Sequence, residues 1–140
     1  MFSKSNLLAT VVATIVMFLL GYLLWGMAAE SLMDGHVITD IMKDPPDFLF
    51  IILGNLVSAF ALSNLYGKWA RGHHSVKEGA KFGAWISLFA GLGTALIWYA
   101  TANLFDLTGH LLDFVLALVF FVVTGIAIAL IYQKTAPKEG

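Results

Sequence analysis

The stretch EGAKFGAWISLFAGLGTA, residues 78–95, carries a small residue at every fourth position of an apolar segment. On a helix, residues four apart lie on one side, so small side chains there leave the backbone open to a neighbour. Helices in a bilayer associate through close van der Waals fit, and small residues mark the contact. We therefore predict a helix-packing line, facing either another span of this chain or a second copy, at Gly79, Gly83, Ser87, Gly91 and Ala95.

Four stretches of the chain, this one among them, are long, apolar and nearly free of charge. They cover residues 7–29, 48–66, 79–102 and 111–132. A helix needs about 20 residues to cross the hydrocarbon core of a bilayer, and each stretch is of this order. Together they take up over half of the 140 residues. We therefore expect an all-α fold, a four-transmembrane-helix bundle that makes residues 1–140 a single integral membrane domain.

Basic residues are distributed unevenly between the connections. Only Lys43 lies between spans one and two or between spans three and four. The other seven Lys and Arg residues lie on the opposite side: Lys4, Lys68, Arg71, Lys77, Lys81, Lys134 and Lys138. Cytoplasmic loops are enriched in Lys and Arg. The distribution predicts cytoplasmic N- and C-termini for a multi-pass protein of the plasma (inner) membrane.

Helix starts are indicated at three places. Asp44, which precedes two prolines, is typical of the cap before the second helix. Ser75 followed by Glu78 is a capping-box pattern for the third helix. Thr108 or Gly109 opens the fourth. The first outer loop is also compatible with a short helix on the membrane surface, because it has apolar residues at helical spacing: Val37, Ile38, Ile41 and Met42.

A polar face on the second span is the first candidate for chemistry. Asn55 and Ser58 are three residues apart and share one side of a helix. With Thr94 of the third span, they are candidates for the wall of a ligand or ion path. An amide in hydrocarbon needs a hydrogen-bond partner. The same face is therefore also explained by hydrogen bonds between helices, which we favour.

Histidine and aspartate residues near the outer ends of the spans are the second candidate. Imidazole and carboxylate groups bind Zn²⁺ and other divalent cations. The residues concerned are His36, Asp106, His110 and Asp113. Thr108 and Gly109 separate Asp106 from the rest as a helix start, and Asp113 is explained as an acid in the first turn. We therefore favour a solvated acidic rim over a metal site.

Composition argues against several classes of function. There is no cysteine, and the net charge is −1, so neither thiol chemistry nor nucleic-acid binding is indicated. The histidines lie in loops or at span ends, where they do not form a haem site. No nucleophile and base converge in the pattern. We expect no enzyme activity and no cofactor.

Three stretches resemble a known group of proteins. They are FLLGYLLWG (18–26), PDFLFIILGNLVSAFALSNLYGKWA (46–70) and EGAKFGAWISLFAGLGTALIWYATANLFD (78–106). Their Gly, Asn and aromatic placement resembles small bacterial integral membrane proteins grouped as the domain of unknown function numbered seventeen sixty-one. The resemblance implies a four-helix membrane bundle and no catalytic residue.

The function expected from these observations is a structural or accessory one in the lipid bilayer. A surface made for helix contact favours a homo-oligomer or a subunit of a larger membrane assembly. A small permeation protein that uses Asn55, Ser58 and Thr94 is the alternative. A divalent-cation site on the outer side is a weaker one.

Overall fold

The computed structural model describes residues 1–137, so Lys138 lies outside the described residues. Within that range the chain is all-helical, without strands, and four of its helices are long and apolar enough to cross a membrane. This confirms the predicted all-helical fold class and the expectation of four helices of membrane-spanning length. The helices are α1 Lys4–Leu32, α2 Phe48–Ala70, α3 Val76–Thr101 and α4 Leu107–Thr135. Each begins or ends outside its predicted span, because hydropathy marks the apolar part of a helix and capping residues mark its ends.

Side-chain caps set the starts of α3 and α4. The Ser75 hydroxyl accepts a hydrogen bond from the Glu78 N–H at 3.1 Å, as the capping-box pattern predicts. The Asp106 carboxylate accepts from the Gly109 N–H at 2.7 Å. Helix α4 therefore begins just after Asp106, slightly earlier than the predicted start at Thr108 or Gly109.

The connection between α1 and α2 differs from its prediction. Residues 33–47 form turns and extended backbone in place of the short surface helix. The Ile38 N–H donates to the Leu104 carbonyl oxygen at 2.9 Å, so the α3–α4 connection supplies a partner that a helix would have supplied internally. Helix α2 begins after Asp47, whose side chain accepts from the Phe50 N–H at 3.3 Å, and not after Asp44.

The four helices form a bundle with two ends. Helix α1 packs against α2 and α4, and α3 packs most extensively against α4. We call the end with the α2–α3 connection the inner end and the opposite one the outer end. The core runs along the bundle and is densest toward the inner end, where its buried side chains include Ala9, Ala13, Ala59, Tyr66, Phe82, Ile128 and Tyr132.

Two helices contain a π-helical segment. In α1 it covers Tyr22–Ala28, and in α3 it covers Leu88–Gly93. A π-helical turn accommodates an extra residue and changes which side chains share a face. Both segments lie against α4.

Helix α2 is packed along only part of its length. From Ala59 onwards one side of the helix is buried. Residues 48–58, which we call the outer half of α2, are exposed except for the half-buried Asn55. Phe50 and Val57 both have relative exposures of 69%. The chain itself therefore leaves most of the outer half of α2 uncovered.

Candidate functional site

The predicted small-residue line of α3 lies against α4 of the same chain. All five of its residues are buried, and every segment of α3 contacts α4. A Cβ atom on Gly91 would lie 3.2 Å from the Cβ atom of Ala117. We call this contact the α3–α4 seam: Gly79, Gly83, Ser87, Gly91 and Ala95 of α3, with Ala117, Phe121, Gly125 and Ala129 of α4.

The seam is closest where glycines of the two helices meet. A Cβ atom on Gly79 would lie 2.5 Å from the Gly125 carbonyl oxygen. A Cβ atom on Gly125 would in turn overlap with the Gly79 carbonyl oxygen, and one on Gly83 would lie 2.6 Å from the Phe121 carbonyl carbon. Backbone meets backbone here, and no side chain larger than hydrogen fits without moving a helix.

The α4 half of the seam was not predicted from the sequence. Ala117, Phe121, Gly125 and Ala129 are spaced by four residues, as the α3 line is. Phe121 interrupts the run of small residues, which hides the spacing from a search for small residues alone. At Phe121 the carbonyl group lies nearest to α3, so the size of its side chain does not obstruct the approach.

The candidates for a ligand or ion path do not come together in one chain. Asn55 is half-buried, and Ser58 is exposed on the outer half of α2. Thr94 is exposed on α3, and its hydroxyl donates to the Phe89 carbonyl oxygen of its own helix at 3.3 Å. Contacts between α2 and α3 involve the Val76–Ser87 part of α3, which ends before Thr94.

The four candidate metal ligands are divided among three different contacts. His36 Nδ1 lies 2.8 Å from Asp106 Oδ2, which joins the two outer connections. That hydrogen bond, helped by the Gly109 N–H, holds the pKa of Asp106 below its usual value. Asp113 instead accepts a hydrogen bond from Trp25 Nε1 at 2.7 Å. Within residues 1–137 no three His, Asp or Glu side chains lie close enough to hold a metal ion.

His110 occupies an aromatic environment in the first turns of α4. Its ring centre lies 5.2 Å from that of Phe105 and 6.1 Å from that of Tyr99. The side chain is buried, and its Nε2 atom has no hydrogen-bond partner among the described residues. His110 therefore lies apart from the His36–Asp106 pair.

The inner end contains a polar cluster that connects three helices. The Tyr132 hydroxyl donates to the Ser63 carbonyl oxygen at 3.0 Å, and the Ser63 hydroxyl donates to the Asn6 carbonyl oxygen at 3.3 Å. Both bonds are buried, so each contributes more than it would at a wet surface. They tie the inner half of α2 to α1 and α4.

His74 covers this cluster from the α2–α3 connection. Its ring centre lies 5.6 Å from that of Tyr66 and 5.1 Å from that of Tyr132. Partial burial, followed by the neighbouring charge of His73, lowers the pKa of His74 below its usual value. His74 therefore packs as a neutral ring at pH 7.

No protein-family model, curated protein or solved structure matches this chain.

Proposed function

We propose that this protein is an accessory subunit of a membrane assembly, without enzyme activity of its own. In this proposal it is a multi-pass protein of the plasma membrane with both termini in the cytoplasm. The observation that carries it is the outer half of α2, which is largely apolar and is exposed except for the half-buried Asn55.

The α3–α4 seam narrows the choice of contact surface. The space beside the seam's glycines is already occupied by helix backbone of the same chain. Another copy cannot use that line without separating α3 from α4. A contact with a second chain therefore has to use a different surface.

The outer half of α2 offers such a surface. Val57 and Phe50, seven residues apart, project from the same side of the helix and are equally exposed. Asn55, half-buried against the chain, places an amide at membrane depth. An amide in hydrocarbon gains from a partner on a neighbouring helix. Apolar area together with the polar groups of Asn55 and Ser58 suits a helix of a second membrane chain.

Charge at the two ends supports the proposed orientation. The inner end carries basic residues from all four helices or their connections: Lys4, Lys68, Arg71, Lys77, Lys81 and Lys134. The outer end carries the acids that pair with His36 and Trp25, which are Asp106 and Asp113. The positive-inside rule then assigns the inner end to the cytoplasm. We also propose, from the resemblance in sequence, that the protein is related to the domain of unknown function numbered seventeen sixty-one.

The test is the mass of the gently solubilised complex, measured by native mass spectrometry. We expect a mass above the 15.2 kDa of one chain, as a multiple of it or as its sum with another protein. Val57→Trp should reduce the complex to the single chain. Val115→Trp, an equally bulky change at an exposed position of α4, should leave it intact. A single-chain mass for the wild type would overturn the proposal.

The permeation alternative uses the same surface in another way. Because Asn55 and Thr94 lie on helices that do not meet at that level, a path would need a wall from a second chain. Asn55→Leu separates the two ideas. If this variant stops the flux of ions or small solutes while the complex keeps its mass, permeation is supported. If the flux is unchanged and the complex becomes smaller, the accessory role is supported.

A further inference from the structure

A groove at the inner end lies between the N-terminal residues, α2 and α4. Its volume is about 220 Å³, and its lining includes Ser3, Asn6, Asn64, Gly67, Lys68 and Tyr132. No residue of the seam lines it. The groove lies beside the polar cluster that ties α1, α2 and α4 together.

Asn6 gives this groove an unsatisfied acceptor. The side chain is 2% exposed, and its Nδ2 atom donates to the Met1 carbonyl oxygen. Its Oδ1 atom has no hydrogen-bond partner within the described part of the chain. A buried amide oxygen without a donor destabilises the structure. The floor of the groove therefore lacks a hydrogen-bond donor, which a hydroxyl group of a ligand can supply.

Gly67 and Tyr132 shape the same wall. A Cβ atom on Gly67 would lie 2.9 Å from the Tyr132 hydroxyl oxygen, so glycine allows the phenol to reach the groove. That hydroxyl donates to the Ser63 carbonyl oxygen. Its lone pairs stay available to a second donor. Asn6 and Tyr132 thus both present acceptors to a ligand.

Lys68 gives the groove a positive charge. It lies in the last turn of α2 and lines the groove. An ammonium group binds a phosphate as a point charge. Basic residues nearby at this end, including Lys4 and Arg71, add to an anion-attracting field. The charge at the rim therefore suits phosphate, while the floor suits hydroxyl groups.

A second groove continues from the first along α2. Its volume is about 290 Å³, and Phe60 and Ala61 form its apolar part. Met1, Asn64 and Lys68 line both grooves. The second groove lies along α2, one of the helices apolar enough to cross a membrane, and an acyl chain can lie in it. A free phosphate would leave this apolar part empty, whereas a phospholipid fills both grooves.

We propose that the two grooves bind one phospholipid whose headgroup carries an anionic phosphate and hydroxyl groups, the chemistry of phosphatidylglycerol. Lys68 holds the phosphate, a headgroup hydroxyl donates to Asn6 Oδ1, and one acyl chain lies against Phe60 and Ala61. Met1, which is 75% exposed, forms one side of the site. The site does not depend on the accessory role or on which way the protein is oriented.

Native mass spectrometry of the full chain tests the site. The chain is presented with equal amounts of dioleoyl phosphatidylglycerol, phosphatidic acid and phosphatidylcholine. We expect phosphatidylglycerol to be retained over phosphatidic acid, which has the phosphate without the hydroxyl groups, and over phosphatidylcholine. Lys68→Gln should lower its retention about fivefold, the effect of one lysine near anionic lipid. Ala61→Phe, which fills the acyl groove, should lower it as well.

Two matched variants keep the test specific. Lys77→Gln removes the same charge outside the grooves, and Ala100→Phe adds the same bulk at an exposed position at the other end of the bundle. Both should retain phosphatidylglycerol like the wild type. Equal retention of phosphatidylglycerol and phosphatidic acid would overturn the proposal, as would equal losses in Lys68→Gln and Lys77→Gln. Displacement of the lipid by inorganic phosphate would overturn it too.

Discussion

The α3–α4 seam and the outer half of α2 are both apolar and both contain glycine, yet one is buried and the other is not. In the seam, a Cβ atom on Gly79 or Gly83 would collide with the backbone of α4. On the outer half of α2, a Cβ atom on Gly54 would meet nothing within 4 Å. Apolar character is common to both segments, and the repeated small residues of the seam are what let two helix backbones come into contact.

The largest effect should come from adding one methyl group to the seam. Gly83→Ala forces the new Cβ atom into Phe121 and Val122, whose contacting atoms belong to the backbone. Since a backbone cannot move aside as a side chain can, we expect a loss of about 3 kcal/mol in the free energy of unfolding, at the upper end for overpacking. Denaturant unfolding in detergent micelles measures it. An unchanged midpoint would mean that the two helices are not in contact there.

A smaller effect is expected where the inner half of α2 is tied to the bundle. Tyr132→Phe removes the buried hydrogen bond to the Ser63 carbonyl oxygen and leaves the ring in place. We expect a loss of about 1 kcal/mol in the free energy of unfolding. Tyr99→Phe, at an exposed position of α3, should cost less. Equal losses in the two variants would show that the hydroxyl of Tyr132 does not stabilise the inner end.

The contact between the two outer connections should make a smaller contribution to stability, and this contribution should depend on pH. The folded chain lowers the pKa of Asp106, so folding favours its ionised form. That stabilisation is present above the unfolded pKa of 3.8 and is lost as the pH falls through the lower folded value. The unfolding temperature should therefore fall between about pH 5 and pH 3. Asp106→Asn should reduce this dependence, and an unchanged pH profile would contradict the His36–Asp106 contact.

The smallest effect is expected from the same methyl group outside the seam. Gly54→Ala adds a Cβ atom in open space and replaces glycine by a better helix former. We expect a gain of at most about 1 kcal/mol in the free energy of unfolding. The sign is opposite to that for Gly83→Ala. A loss as large as in the seam would show that the outer half of α2 is packed against something within the chain.

Much of the fold could be predicted from the sequence because membrane helices have strong local signals. Length and apolarity indicated four spans, and Ser75 with Glu78 indicated the start of α3. The cap of α2 was assigned to Asp44 and is Asp47, because several acids near the prolines can all serve as caps. The short surface helix with which Val37, Ile38, Ile41 and Met42 were compatible does not form, and the N–H groups of Ile38 and Thr39 donate to the Leu104 carbonyl oxygen of the α3–α4 connection.

The candidate sites were harder to predict because they depend on contacts between distant residues. The small-residue line of α3 was visible in the sequence, while its partner was not, since Phe121 interrupts the matching line of α4. His36 and Asp106 are 70 residues apart. A helix start between Asp106 and His110 was visible in the sequence, whereas the contact between His36 and Asp106 depends on the fold. The polar groove at the inner end depends on Asn6, whose surroundings no local pattern describes.

The seam between α3 and α4 can be tested most directly by a disulfide, because the chain has no cysteine of its own. A Cβ atom on Gly91 would lie 3.2 Å from the Cβ atom of Ala117, slightly shorter than the Cβ separation of about 3.8 Å in a disulfide. In membranes under mild oxidation, Gly91→Cys with Ala117→Cys should cross-link within single chains. Cross-links only between chains, or none at all, would contradict the seam.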